Sequence, residues 1–212
     1  MESPLRATAP GGLILIETLR FEPRLGPLRG DLHLARMARG AAALGWGFDA
    51  ARAAEMINVG GDEPLRLRLT LDAGGELSLT TGPYEMVQGA WRLGLAPERV
   101  QADDPWRGVK SSHRAIYDRA RADLPEGLDE LLFLNERGEL AEGTITNVFI
   151  KRDRALLTPP LASGCLPGVL RETLLADGTA REAVLTPDDL HGAEAVFVGN
   201  SLRGLIPAVW AA

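Results

Sequence analysis

The stretch LLFLNERGELAEGTITNVFI, residues 131–150, reads as strand, turn, strand, with apolar runs on either side of a polar turn that contains glycine. Working outward, SSHRAIYDRARADL (111–124) reads as a helix before it, ALLT (155–158) as a short strand after it, and 168–176 as a second helix. Strands follow near 181–185 and 194–199. Towards the N-terminus, LRLRLTLD (65–72) alternates strictly and forms a hairpin with ELSLTT (76–81). GLILIETLR (12–20) is a further strand. DLHLARMARGAAALGW (31–46) places Leu32, Leu34, Met37, Ala41 and Leu44 near one helical face, with Asp31 as N-cap and Gly47 as stop. A short helix covers 49–57, and QADDPWRGV (101–109) is the best linker. The reading is α+β, with a small domain over 1–100 and a larger one over 101–212.

Composition narrows the function. The 212 residues carry a net charge of −6, against the basic surplus of a nucleic-acid binder. No apolar run reaches the ~20 residues of a membrane span, and the start MESPLRATAPGG lacks a signal-peptide core. Cys165 is the only cysteine, and the three histidines are scattered, which argues against a disulfide and a metal site. The expected address is the cytoplasm.

Of 23 basic residues only Lys110 and Lys151 are lysines. An amine can lose its proton and attack a carbonyl, whereas guanidinium stays charged. Lys110 follows the linker at the expected start of a helix, beside Trp106, Val109 and Ile116, where dipole and burial favour the neutral amine. Lys151, in KRDR, reads as a solvated turn. Glu142 opens a polar cluster in AEGTITNVFI; a carboxylate before Gly-Thr also serves as a turn cap, so alone it does not decide. GCLPGVLRE (164–172) runs into a helix whose first N–H groups, at Gly168, Val169 and Leu170, would face an anion. FVGNSLRG (197–204) offers Asn200 and Ser201 as further donors. Arg36 either completes the anion site or is an exposed helix charge. An amine, a carboxylate and a phosphate cradle are together what pyridoxal 5'-phosphate requires.

Lys110, EGTITNVF, LPGVLRE and GNS, in that order, resemble the class IV, fold-type IV pyridoxal-phosphate aminotransferase family. That family includes D-amino-acid and branched-chain aminotransferases and 4-amino-4-deoxychorismate lyase. The resemblance implies an enzyme with the D-amino-acid aminotransferase-like fold. It makes Lys110 the residue that holds the cofactor's aldehyde and Glu142 the partner of the pyridine nitrogen. Arg36 in HLARM matches the phosphate-binding arginine, Asn147 lies in the Glu142 block, and Val169, Leu170 and Asn200 fall on the two phosphate turns. The tyrosine expected soon after the lysine is present only as Tyr117. A homodimer is implied as well.

ETLR (17–20) and KSSHRAIYDRAR (110–121) look more like the lyases and their short relatives, which implies release of pyruvate from 4-amino-4-deoxychorismate to give 4-aminobenzoate for folate synthesis. The alternatives are transamination of a D- or branched-chain amino acid and a non-catalytic pyridoxal-phosphate-binding protein. Arg66, at a place resembling a carboxylate-binding arginine, and Arg20 are the candidate substrate anchors. The plainer reading of Arg66 and Arg68 is a solvated sheet face.

Overall fold

The computed structural model describes residues 4–211, so the reading of the chain's start falls partly outside the described residues. The chain divides into two compact units. One holds the chain up to Met86 together with Val109–His113; the other holds Val87–Gly108 and everything from Arg114 onward.

The first unit begins with α1 (Pro4–Thr8), β1 (Ile14–Glu22), β2 (Gly26–Pro27) and α2 (Gly30–Leu44). It continues with α3 (Ala50–Ile57), β3 (Leu65–Asp72) and β4 (Leu77–Pro83). Its antiparallel sheet runs β2-β1-β3-β4. Alternation along β3 buries Leu67, Leu69 and Leu71 and exposes Arg66 and Arg68 on the opposite face. Odd-numbered β1 residues Leu15, Leu19 and Phe21 are buried too, and α2 lies so close that a Cβ on Gly40 would sit 3.2 Å from Leu15.

In the second unit, β5 (Trp91–Val100), α4 (Ala115–Ala122), β6 (Glu130–Asn135), β7 (Leu140–Gly143), β8 (Asn147–Arg152) and β9 (Ala155–Thr158) come first. Then follow α5 (Val169–Ala176), β10 (Ala180–Glu182), α6 (Pro187–His191), β11 (Ala195–Asn200) and β12 (Gly204–Trp210). Eight strands form one mixed sheet in the order β10-β9-β8-β11-β12-β5-β6-β7. β5 is parallel to both β12 and β6, and β9 to β10; α4 and α5 lie within the crossovers that such pairs require. Leu132 and Leu134 of β6 pack with Leu93, Val148 and Ile206, while Leu131 and Phe133 pack with Tyr117 and Ala120. Burial on both faces explains why LLFL shows no alternation.

Several expectations change. The division falls at Met86 rather than near residue 100, because β5 pairs with β6 and β12 instead of with the first sheet. Residues 101–108 belong to the second unit, with Pro105–Gly108 in a 3-10 turn, and the chain crosses to the first unit at Val109, the last residue of the expected linker. Residues 131–150 hold three strands, because the chain reverses again over residues 143–146, where Gly143 N donates to Thr146 O at 2.8 Å. Helix α2 ends at Gly45 (φ 71°), not Gly47, because its N–H returns to the last-turn carbonyls; its N-cap is Arg29, with Asp31 in the first turn.

Candidate functional site

In the first unit, Lys110 is half-buried and does not start a helix. Its carbonyl accepts from Ile16 N at 3.0 Å, Ser112 N donates to Ile14 O at 2.9 Å, and Ser111 bridges Leu15. Lys110 is therefore held against β1 through its backbone, and α4 begins only at Ala115. Lys110 thus lies outside the first turn of α4, where the helix dipole would act on it. Lys151 is about half exposed, with Nζ 3.8 Å from Glu194.

Arg36 is buried rather than exposed. Its Nε donates to Glu17 Oε1 at 2.9 Å and its Nη2 to Glu17 Oε2 at 2.6 Å. His33 Nδ1 lies 2.6 Å from the same Oε2. Burial opposes the charge of Glu17, but Arg36 and His33 outweigh it and hold the carboxyl at about 2. His33 is lowered mainly by burial, against the pull of Glu17, with the charges of Arg36 and Lys110 adding to the lowering. The guanidinium plane of Arg36 is thus fixed by a partner whose charge persists through neutral pH.

On the other face of this sheet, Arg20 stands directly opposite Arg66 in the β1–β3 register. Arg20 stacks on Tyr84 with 4.7 Å to the ring centroid, and its Nε lies 2.9 Å from Glu22 without the alignment of a hydrogen bond. Arg29, in the left-handed region at φ 55°, is lowered by burial and by the charge of Arg20. A Cβ on Gly82 would sit 3.3 Å from Arg66 Nη2, so the guanidinium lies across a glycine.

In the second unit, Glu142 is the penultimate residue of β7 and is 7% exposed. Its Oε2 accepts from Leu166 N at 3.0 Å, and its Oε1 accepts a hydrogen bond from the Tyr117 hydroxyl. Asn147 Nδ2 holds Leu166 O at 3.0 Å, and a Cβ on Gly168 would fall 1.9 Å from Asn147 Oδ1. Gly168 is the N-cap of α5 and brings no side-chain cap, so the first-turn N–H groups at buried Val169 and Leu170 have no intrahelical acceptor. Asn200 Nδ2 holds Ile145 O at 3.1 Å while its Oδ1 accepts from Arg203 N at 3.0 Å, and Ser201 is buried beside it. Both asparagines thus spend hydrogen bonds on shaping the backbone.

Four residues of these clusters escaped the reading of the sequence. Glu17 and His33 are signalled by a carboxylate on the apolar face of β1 and by the i, i+3 spacing of His33 and Arg36. Glu130 is fully buried and accepts from Leu131 N, Thr144 N, Ile145 N and the Thr144 and Thr146 hydroxyls, which fixes the turn after Glu142. Arg107 meets Tyr117 and had no local signal. Among the described residues no cluster of His, Cys, Asp or Glu could hold a metal ion, and no helix is long and apolar enough to cross a membrane.

The chemistry of these donors fits a phosphorylated pyridine aldehyde. Glu142 is a buried carboxylate that accepts from Tyr117 and Leu166, α5 starts at a glycine that brings no side-chain cap, and Lys110 supplies an amine. Residues 14–209 match the family described as amino-transferase class IV. A "Putative aminodeoxychorismate lyase" of Schizosaccharomyces pombe is 30% identical over 207 residues, covering 92% of this chain and 88% of its own. The Escherichia coli branched-chain-amino-acid aminotransferase is 31% identical over 38% of this chain and 28% of its own. A solved "Putative amino-acid aminotransferase" from Mesorhizobium loti superposes with TM-score 0.90 at 45% identity, over 94% of this chain and all of its own. The 4-amino-4-deoxychorismate lyase of Pseudomonas aeruginosa shares the fold, with TM-score 0.76 at 24% identity over 93% of this chain and 82% of its own. The chain belongs to the class IV aminotransferases, enzymes of the α+β fold type IV that work with pyridoxal phosphate.

Proposed function

We propose that the chain is a lyase that releases pyruvate from 4-amino-4-deoxychorismate and leaves 4-aminobenzoate. The observation that carries this reading is the Arg20–Arg66 pair, two guanidinium groups in register on one sheet face, suited to a substrate with two carboxylates. The Schizosaccharomyces pombe relative, matched along nearly its whole length, supports it.

When bound, pyridoxal phosphate withdraws electrons from the carbon that carries the substrate amine. Lys110 would hold the cofactor aldehyde before substrate arrives; once the substrate amine displaces it, its freed amine would take the ring proton at that carbon. Loss of this proton and departure of the enolpyruvyl group aromatise the ring, so little acid assistance is needed. Glu142 keeps a proton on the pyridine nitrogen. Arg36, aimed by Glu17, and the N–H groups at Val169 and Leu170 hold the phosphate, with Gly168, Asn147, Asn200 and Ser201 shaping the turns around it. Arg20 and Arg66 bind the two carboxylates. A homodimer in the cytoplasm completes the proposal.

A second reading is transamination of a D- or branched-chain amino acid, favoured by the 45% identity with the Mesorhizobium loti protein. Incubating the purified protein with 4-amino-4-deoxychorismate, D-alanine and leucine separates the readings. Pyruvate and 4-aminobenzoate in equal amounts support the lyase; keto-acid formation from the amino acids alone overturns it. No turnover on any of the three overturns it too and leaves a non-catalytic cofactor-binding protein.

A further inference from the structure

Glu142 is the near end of a chain of polar groups that all lie within the second unit. Arg107, in the 3-10 turn before Lys110, donates from Nη1 to the Tyr117 hydroxyl oxygen at 2.6 Å. Its Nε and Nη2 donate to Asp104 Oδ2 at 3.2 and 3.1 Å, and Asp104 Oδ1 accepts from Trp106 N at 2.9 Å. Tyr117, on α4, donates a hydrogen bond from its hydroxyl to Glu142 Oε1, while Leu166 N donates to Oε2. The phenol ring is fixed edge-on to Phe133, centroids 4.9 Å apart, with Arg107 and Arg114 at 5.2 and 5.7 Å from its centroid. Each oxygen of the buried carboxylate therefore receives a protein donor.

The direction of donation is fixed. Burial, then the charge of Glu142, pushes the Tyr117 phenol above its ordinary range, so it keeps its proton and stays a donor. Arg107 is raised as well; burial works against its charge, but Tyr117, Asp104 and Glu142 outweigh it. Cys165, near the same carboxylate, is pushed up to about 12 by burial and Glu142, so it stays a neutral thiol.

We propose that Tyr117 and Arg107 are positioning residues that lower the basicity of Glu142, so that the proton shared with a bound pyridine nitrogen stays on the nitrogen. A proton between a carboxylate and a pyridine, away from water, resides on the more basic partner. Donors to the carboxylate stabilise its charged form and weaken its claim on that proton. Arg107 acts through Tyr117 by polarising the phenol, which strengthens its donation to Oε1. The inference rests on the reading of Glu142 as the partner of the pyridine nitrogen, and it gives Tyr117 a task at the ring nitrogen through Glu142.

The test uses the apo-protein and 4'-deoxypyridoxine 5'-phosphate, which keeps the ring nitrogen and the phosphate but has no aldehyde for Lys110. Its affinity is measured by equilibrium dialysis, and its near-ultraviolet absorption reports whether the bound ring is protonated. Tyr117→Phe should weaken binding about tenfold, as expected for losing a hydrogen bond to a charged group. It should also move part of the bound absorption from the protonated to the neutral ring. In the Glu142→Gln background Tyr117→Phe should change neither, because nothing remains for the phenol to tune. Arg107→Met should act in the same direction with a smaller shift, and it carries the test if Tyr117→Phe does not fold. If Glu142→Gln binds the probe as tightly as the wild type, the reading of Glu142 itself fails. If Glu142→Gln weakens binding but Tyr117→Phe and Arg107→Met leave affinity and absorption unchanged, only this inference is overturned. Equal loss from Tyr117→Phe in both backgrounds would show a merely structural role and overturn it as well.

Discussion

Arg36 grips Glu17 at two points, Nε to Oε1 at 2.9 Å and Nη2 to Oε2 at 2.6 Å, and both side chains are buried. Removing one partner leaves the other charge in a site from which water is excluded. Arg36→Ala should therefore cost about 3–5 kcal/mol of folding stability, besides any loss of phosphate binding. Replacing both residues with methionine should recover much of that loss. Urea denaturation of the apo-protein measures both; a cost below about 1 kcal/mol for Arg36→Ala would show that the pair is not energetically coupled.

The same cluster sets an acid limit. The folded pKa of Glu17, about 2, lies below its ordinary 4.5, so its contribution is complete above 4.5 and is lost as pH falls towards 2. His33 is lowered from 6.5, so the unfolded chain takes up its proton first and stability declines below that pH too. The urea midpoint should fall between pH 7 and 5 and again below 4.5. In Glu17→Gln the second decline should flatten. A midpoint unchanged from pH 7 to 4 would contradict this account.

Much of the fold can be read from local pattern. The leucines of LRLRLTLD alternate because one face of β3 is buried, and Arg66 and Arg68 are on the expected opposite face. Lys110 stands out because the chain so rarely uses lysine. Its surroundings could not be read, since residues 110–112 are held against β1, nearly a hundred residues away in sequence, and not by helix propensity. β5 was missed for a related reason: Leu93 is buried while Arg92, Glu98 and Arg99 are exposed, an irregular pattern that only its parallel partners explain. The pairing of Tyr117 with Glu142 across 25 residues is likewise tertiary.

Gly168 is required for space. A methyl group there would enter the Asn147 amide, whose other end holds Leu166 O. Gly168→Ala should displace the 164–168 loop, with a packing cost of about 1–3 kcal/mol. Affinity for pyridoxal phosphate should fall on the order of tenfold or more, since 1.4 kcal/mol corresponds to a factor of ten. Unchanged affinity in a dialysis measurement would mean that this loop does not hold the phosphate.

The Arg20–Arg66 face predicts substrate discrimination. Arg66→Ala and Arg20→Ala should each raise KM for 4-amino-4-deoxychorismate about tenfold, as for a lost bond to a charged group. The visible absorption of the bound cofactor should stay as it was. The loss should be greater for the dicarboxylate than for a simple amino acid. If both variants release pyruvate with wild-type KM, this face is the solvated surface of the plainer reading.

Lys110 is the proposed point of covalent attachment for pyridoxal phosphate, and there are only two lysines to compare. The most direct measurement is to load the protein with pyridoxal phosphate, reduce it with borohydride and map the labelled peptide by mass spectrometry. The account predicts one label per chain, on Lys110, retained in Lys151→Ala and lost in Lys110→Ala. A label on Lys151, or none after loading, would contradict it.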